Sequence, residues 1–289
     1  MSQAQGNATH LKLGLGQLLV EGGEPDRNIE RAAEMARQAA KAGCDILLLP
    51  ETLDLAWTHP SAFDEAQPIP GPYSDRFCTL ARELGLFICC GLTEQAGDRV
   101  YNAAILVDDC GEILLKHRKI NLLTVEFDYY AFGGQLGVTE TKFGTIGLNV
   151  CADNYGDSTD IGHTLGRMGA QLILSPSSWT VDHSVTERDD PYGTKWLTPF
   201  QTLARTHDLV IASATSVGYV VGGPYEGKKS VGCSMVVNKD GIIAKGRYNE
   251  FAGDLVVVDV DVPPPHPMGT LIGERMTSLG FQFAPEGVR

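Results

Sequence analysis

The sequence predicts a layered α/β fold, with two β-sheets stacked face to face and helices on the outside. Three observations predict it. Short runs such as DILLLP (45–50) and QLILSP (171–176) are mostly apolar without alternation, as strands covered on both faces are. Between such runs lie amphipathic stretches whose apolar residues recur every three or four positions. The second half also echoes the first. GCDILLLP (43–50) is matched by GAQLILSP (169–176), LGLFICCG (84–91) by HDLVIASA (207–214), and the hairpin 104–116 by 233–245. Three echoes in one order imply two similar α/β halves that share a single core.

The elements follow in turn. Residues 11–19 (LKLGLGQLL) form a first strand. Its Gly14-x-Gly16 lacks the third glycine and the immediate helix of a dinucleotide fingerprint. Pro25 opens a helix with Asp26 as N-cap, Ile29, Ala32, Ala33, Ala36 and Ala40 at helical spacing, and Gly43 as C-cap. A strand over 45–49 ends at Pro50, which cannot donate to a ladder, so Glu51 leaves the strand end. A second helix spans 73–84 and closes at Gly85; a strand follows over 86–92. Residues 101–107 and 112–116 make a hairpin turning at Asp108-Asp-Cys-Gly111. Residues 145–150 form a strand that breaks at Cys151 into the polar turn Ala152-Asp-Asn-Tyr155. A proline run at 263–267 ends the pattern, giving one domain with a core of about 12–262 and a tail, 263–289, available to pack on a neighbouring subunit.

Composition narrows the function. A hydrophobic share of 43% and a charged share of 20% describe a globular chain. A net charge of −13 excludes nucleic acid and anionic membrane surfaces as expected partners. The N-terminal residues lack the pattern of a signal peptide, and no apolar run approaches a membrane span. Seven scattered cysteines, without Cys-x-x-Cys or His-x-x-x-His, point to a reducing, cytoplasmic setting with neither disulfides nor a metal site. No cofactor is expected.

Three polar residues stand just beyond strands: Glu51, Lys119 and Cys151. Each has a plain alternative: a solvated loop acid, one member of the basic run Lys116-His-Arg-Lys119, and a packed core thiol. Taken together, LLLPE, HRKINL and GLNVCAD resemble the nitrilase, or carbon–nitrogen hydrolase, superfamily in order and spacing, over residues of about 12–262. The resemblance implies a four-layer αββα sandwich with internal pseudo-twofold symmetry. It also implies a Glu51–Lys119–Cys151 triad, in which Glu51 is the general base, Lys119 and the Ala152 N–H hold the oxyanion, and Cys151 forms a thioester. Glu126 is the candidate for an auxiliary glutamate. A small-molecule substrate and a homodimer or larger homo-oligomer are implied as well.

Departures from subfamily patterns bear on the substrate. Cys151-Ala-Asp153 stands where nitrilases carry Cys-Trp-Glu, and Asn154-Tyr155 stand where N-carbamoyl-amino-acid hydrolases carry arginines. A carboxamide is therefore preferred to a nitrile or an N-carbamoyl acid. In Pro176-Ser-Ser-Trp179, Ser178 replaces the customary Asn; Tyr155, Ser178 and Trp179 are the substrate-binding candidates. Tyr129, Tyr130, Phe132, His183 and Tyr192 are further candidates to shape an apolar pocket. A catalytically silent binding or assembly protein is the rival from another class.

Overall fold

The computed structural model describes residues 8–189, 193–248, 252–265 and 280. Its first half contains β1 (Thr9–Gln17), α1 (Pro25–Lys41), β2 (Ile46–Leu48), α2 (Ala62–Glu65), α3 (Pro72–Leu84), β3 (Phe87–Ala96), β4 (Arg99–Val107) and β5 (Ile113–Arg118). Then come β6 (Val138–Thr141), β7 (Gly144–Leu148), α4 (Thr159–Arg167), β8 (Leu172–Ser177), β9 (Thr180–Val181), α5 (Gly193–His207) and β10 (Val210–Thr215). The chain continues with β11 (Val217–Tyr219), β12 (Lys229–Val231), β13 (Met235–Asn238), β14 (Gly241–Lys245) and β15 (Asp254–Val262).

Two six-stranded sheets result, ordered β15-β1-β2-β3-β4-β5 and β14-β13-β10-β8-β7-β6. They have the same plan. β1, β2 and β3 run parallel, as do β7, β8 and β10. Each trio continues into an antiparallel pair, β4–β5 or β13–β14, and is flanked on its other side by an antiparallel strand, β15 or β6. The three sequence echoes are thus β2 with β8, β3 with β10, and the β4–β5 hairpin with β13–β14.

The apolar strands serve two layers at once. Because side chains alternate across a sheet, Ile46 and Leu48 enter the core between the sheets, while Leu47 and Leu49 join the cluster under α1 and α3. Phe87 and Cys89 divide from Ile88 and Cys90 in the same way. The far face of the second sheet is covered from α4 and α5 by Leu165, Trp196, Phe200 and Leu203. Helix, sheet, sheet, helix: the fold is the αββα sandwich.

Local expectations shift slightly. Helix α1 is N-capped by Glu24 rather than Asp26, because Pro25 already occupies the first turn, where its missing N–H costs nothing. The C-cap is Ala42, with Gly43 just beyond it in the left-handed region. Gly85 caps α3 in that region as expected. Gly16 is a packing residue, since a Cβ there would lie 3.0 Å from Met35 of α1. The regular strand ahead of Cys151 stops at Leu148; Asn149 still donates its N–H to the Leu174 carbonyl of β8 (3.4 Å), and Val150 is the extended cap of the turn that Cys151 opens. The tail expectation falls largely outside the described residues.

Candidate active site

Glu51, Lys119 and Cys151 leave three different strands and meet at one end of the sandwich. The loop after β2 carries Glu51 and is pinned on both sides. The Gly91 N–H donates to the Pro50 carbonyl (3.0 Å), the Leu53 N–H to the Gly91 carbonyl (2.9 Å), and the Glu51 N–H to the Ser177 carbonyl of β8 (3.3 Å). Gly91 has to be glycine for this approach, because a Cβ would lie 2.5 Å from Glu51 Cα. Glu51 is 1% exposed, so the solvated-acid alternative does not apply.

Strand alternation sorts the basic run 116–119. Lys116 and Arg118 turn to one side and share Glu94, at 2.6 and 2.7 Å. His117 and Lys119 turn inward and are buried. His117 Nε2 meets Asp153 Oδ2 at 2.8 Å. Lys119 Nζ donates to Glu51 Oε1 (2.7 Å) and to Glu126 Oε1 (2.9 Å).

Glu126 is fully buried in a 3₁₀ turn, Thr124–Glu126. Its Oε1 also accepts from Trp57 Nε1 at 2.8 Å and Asn102 Nδ2 at 3.2 Å, and its Oε2 accepts from the Leu123 N–H at 2.8 Å. Asn102 Nδ2 donates again, to Glu51 Oε1 at 2.6 Å. Glu51 Oε2 has no hydrogen-bond partner among the described residues.

Cys151 opens the 3₁₀ turn Cys151–Asn154 with φ +45°, a left-handed conformation that a side chain enters only under constraint. The constraint is visible. Asp153 accepts from the N–H groups of Val150 (2.9 Å), Ile120 (3.1 Å) and Asn121 (2.8 Å), tying the turn to the segment after Lys119. Asn154 exchanges hydrogen bonds with Asn149 and donates to Ser175 Oγ. The backbone of Ser178 lies near the Cys151 sulfur and favours its ionised form.

The electrostatics follow from burial with unequal charges. Burial pushes the Glu51 carboxyl above the usual carboxylate range against the pull of Lys119, and Glu126 adds to the rise. Burial works against the Lys119 ammonium, but Glu126 and Glu51 outweigh it, so the amine stays protonated well above its ordinary range. The Cys151 thiol is pushed well up by burial and by Glu51, more than Lys119 and the Ser178 backbone bring it down. The resting sulfur is a thiol.

A narrow cavity of ≈ 20 Å³, room for about one water, is lined by Glu51, Trp57, Ser178, Thr180, Ser216 and Ser230, with Val217 to Val221 forming one wall. Ser178 is thus placed at the cavity, and the other proposed binding residues are not. Trp179 is 1% exposed and stacks on Trp196 with ring centroids 4.7 Å apart; Tyr155 meets the same Trp196 edge-on at 4.9 Å. Tyr130 is buried, its hydroxyl accepting from the Thr58 N–H. Tyr129 stacks on Phe63, Phe132 leans on Phe127, and His183 is exposed. Tyr192 lies outside the described residues. Trp179 and Tyr130 thus belong to the buried interior, whereas Phe132 is exposed and Tyr129 half-buried. Trp57 and Asn102 escaped the sequence reading; only the inward phase of Asn102 in the strand YNAAILV hinted at it.

Comparison with known proteins agrees with this architecture. The family model described as "Carbon-nitrogen hydrolase" matches residues 13–263, and the chain belongs to that family of enzymes. Among curated relatives, the Nitrilase of Pyrococcus abyssi is 31% identical over 167 residues, 56% of this chain and 62% of that protein. Omega-amidase NIT2 of Mus musculus is 27% identical over 59% of this chain and 64% of its own length. The chain thus spans somewhat under two thirds of these relatives. The human Deaminated glutathione amidase is 27% identical over 79% of this chain and 71% of its own. Among solved structures, an amidase variant from Nesterenkonia sp. AN1 superposes with a TM-score of 0.75 at 20% identity, covering 93% of this chain and 98% of that one. That structure shows the Michael addition of acrylamide at the active-site cysteine of that amidase. Another, of a cysteine-substituted form in complex with butyramide, has a TM-score of 0.74 at 21% identity and covers 88% of this chain and 92% of that one. Among the described residues no helix is long and apolar enough to cross a membrane.

Proposed function

We propose that this hydrolase converts a small carboxamide to its carboxylic acid and ammonia through a thioester on Cys151. One observation carries the reading: a thiol held in a left-handed turn shares a buried site with a Glu–Lys–Glu cluster in which one oxygen of Glu51 lacks a partner.

Both the Glu51 carboxyl and the Cys151 thiol lie above their usual ranges. A standing thiolate is therefore not the nucleophile. Glu51 takes the thiol proton as sulfur attacks the carbonyl carbon, so that charge passes to the carbonyl oxygen rather than resting on sulfur. Lys119 has three N–H donors; Glu51 and Glu126 engage two, and the third is assigned to the oxyanion, with the Ala152 N–H. Collapse breaks the C–N bond, and the proton on Glu51 goes to the departing nitrogen, releasing ammonia. Glu51 then removes a proton from water, hydroxide attacks the thioester carbon, and the returning proton restores the thiol as the acid leaves.

The cavity supports a small, uncharged substrate. Among its described lining residues the charged one is Glu51, and four hydroxyl residues, Ser178, Thr180, Ser216 and Ser230, offer donors and acceptors. A space this narrow favours a short amide over a bulky one. The named amidase relatives and the butyramide and acrylamide complexes of the Nesterenkonia amidase support a carboxamide. Nitrile hydrolysis is the second reading, favoured by the relative named nitrilase. A panel of amides, nitriles and N-carbamoyl acids, followed separately for ammonia and carbon dioxide, decides. Amides are expected to turn over fastest without carbon dioxide; turnover of nitriles alone would reject the carboxamide.

A further inference from the structure

We propose that Asn102 is a positioning residue for the base, holding Glu51 so that one carboxylate oxygen faces Lys119 and the other is left for proton transfer. The inference rests on the reading of Glu51 as the base of Cys151.

Asn102 lies on β4 and is 1% exposed. Its side chain touches both carboxylates of the cluster, and its main chain pairs with that of Lys119. Its Nδ2 donates to Glu51 Oε1 (2.6 Å) and Glu126 Oε1 (3.2 Å), and its main-chain carbonyl accepts from the main-chain N–H of Lys119 (2.8 Å), which fixes the strand against the lysine's own backbone. Two buried carboxylates face one ammonium here, so a residue between them has to donate without adding negative charge. A side-chain amide does that: its NH₂ carries two donors and no charge. The amide orientation is dictated, since turning it over would set its oxygen against both carboxylate oxygens.

The arrangement has a cost. Asn102 Oδ1 is buried without a hydrogen-bond partner among the described residues, and an unmet buried acceptor is disfavoured. What the amide secures is asymmetry in Glu51: Oε1 accepts from Lys119 and Asn102, and Oε2 from neither. Without Asn102, Lys119 alone orients the carboxylate, which can then rotate and give Oε2 to the ammonium. The amide also favours the ionised carboxylate, because it donates to that form.

The test compares wild type, Asn102→Ala and Asn102→Ser in pH profiles of kcat/KM on butyramide and in the rate of Cys151 alkylation by iodoacetamide, read by peptide mass. Asn102→Ala is expected to lower kcat by about 10–100-fold with KM changed less than about threefold, because the base is misaligned and binding is not. The acidic limb of kcat/KM and of alkylation should move to higher pH by about one unit, since donors to the ionised form have gone. Asn102→Ser, which retains a hydroxyl donor, should recover part of both effects. Circular dichroism and thermal melting establish folding; if the alanine variant does not fold, the profile of the serine variant decides. Folded variants with the wild-type limb, or with losses confined to KM, would overturn the assignment of Asn102. Turnover retained by Glu51→Gln would instead overturn the reading of the base itself.

Discussion

At the scale of single residues, burial dominates the chemistry of this molecule. Lys119 donates to two carboxylates while fully enclosed, so its replacement leaves a buried pair of like charges. Lys119→Ala is expected to lower kcat by about 10²–10³-fold, the usual loss for an oxyanion donor; near-normal turnover would remove it from that role. Cys151→Ala should abolish both turnover and covalent labelling by an electrophilic amide. Asp54 gives a separate, measurable signal. Burial raises its carboxyl to about 7, against hydrogen bonds from Thr93, whereas the unfolded chain ionises near the ordinary 3.8. Between those values the folded chain holds the extra proton, so the contribution of this group to stability is fullest in acid and falls as pH rises through the window. The loss is on the order of 4 kcal/mol. Replacing Asp54 with Asn should shrink the Tm difference between pH 5 and pH 8; an unchanged difference would place the titration elsewhere.

At the scale of elements, the site depends on loops held to strands at van der Waals limits. Gly91 of β3 backs directly on Glu51. A methyl group there has to displace the Glu51 loop, so Gly91→Ala should cost at least about tenfold in kcat, as small misplacements of a catalytic group do, while β3 still pairs. Wild-type kcat would show that the loop has slack. The Cys151 turn is backed by α5. Trp196 is fully buried between Trp179 and Tyr155, the latter just beyond the turn. Its replacement by Ala should destabilise by about 3–5 kcal/mol, read from denaturant unfolding; a loss below about 1 kcal/mol would mean that the cluster collapses to fill the space.

At the scale of the whole molecule, the two halves are alike in plan and unlike in chemistry. Glu51 follows Pro50 after β2, and Ser177 follows Pro176 in the matching strand β8; the Glu51 N–H donates to the Ser177 carbonyl. Acid and lysine come from one half and the thiol from the other. The site therefore exists only when both sheets are stacked. One core cluster spans both, from Leu13 and Leu48 to Leu174 and Val237, and we read the described chain as one domain. Unfolding should then be a single transition, coincident by circular dichroism and by fluorescence of Trp57, Trp179 and Trp196. Separate transitions would divide the halves.

Much of this was legible in the chain because it is written in local pattern. Doubly apolar runs, helical spacing and the three echoes determine the layers, since burial on two faces leaves no polar phase in a strand. The positions of Glu51, Lys119 and Cys151 just past strand ends are equally local. Among the substrate-binding candidates Ser178 lines the cavity, while the position of the aromatic ones was not legible. Trp179, Tyr155 and Tyr130 are drawn into the core because large rings gain most from burial, and Asp153 and Asn154, read as a clue to the substrate, brace the turn instead. Asn102 and Trp57 enter the cluster through contacts across 24 to 69 positions of sequence. Only the stacking of the sheets decides which side chains converge, because hydrogen bonds over such separations are chosen by three-dimensional packing and not by neighbours in the chain.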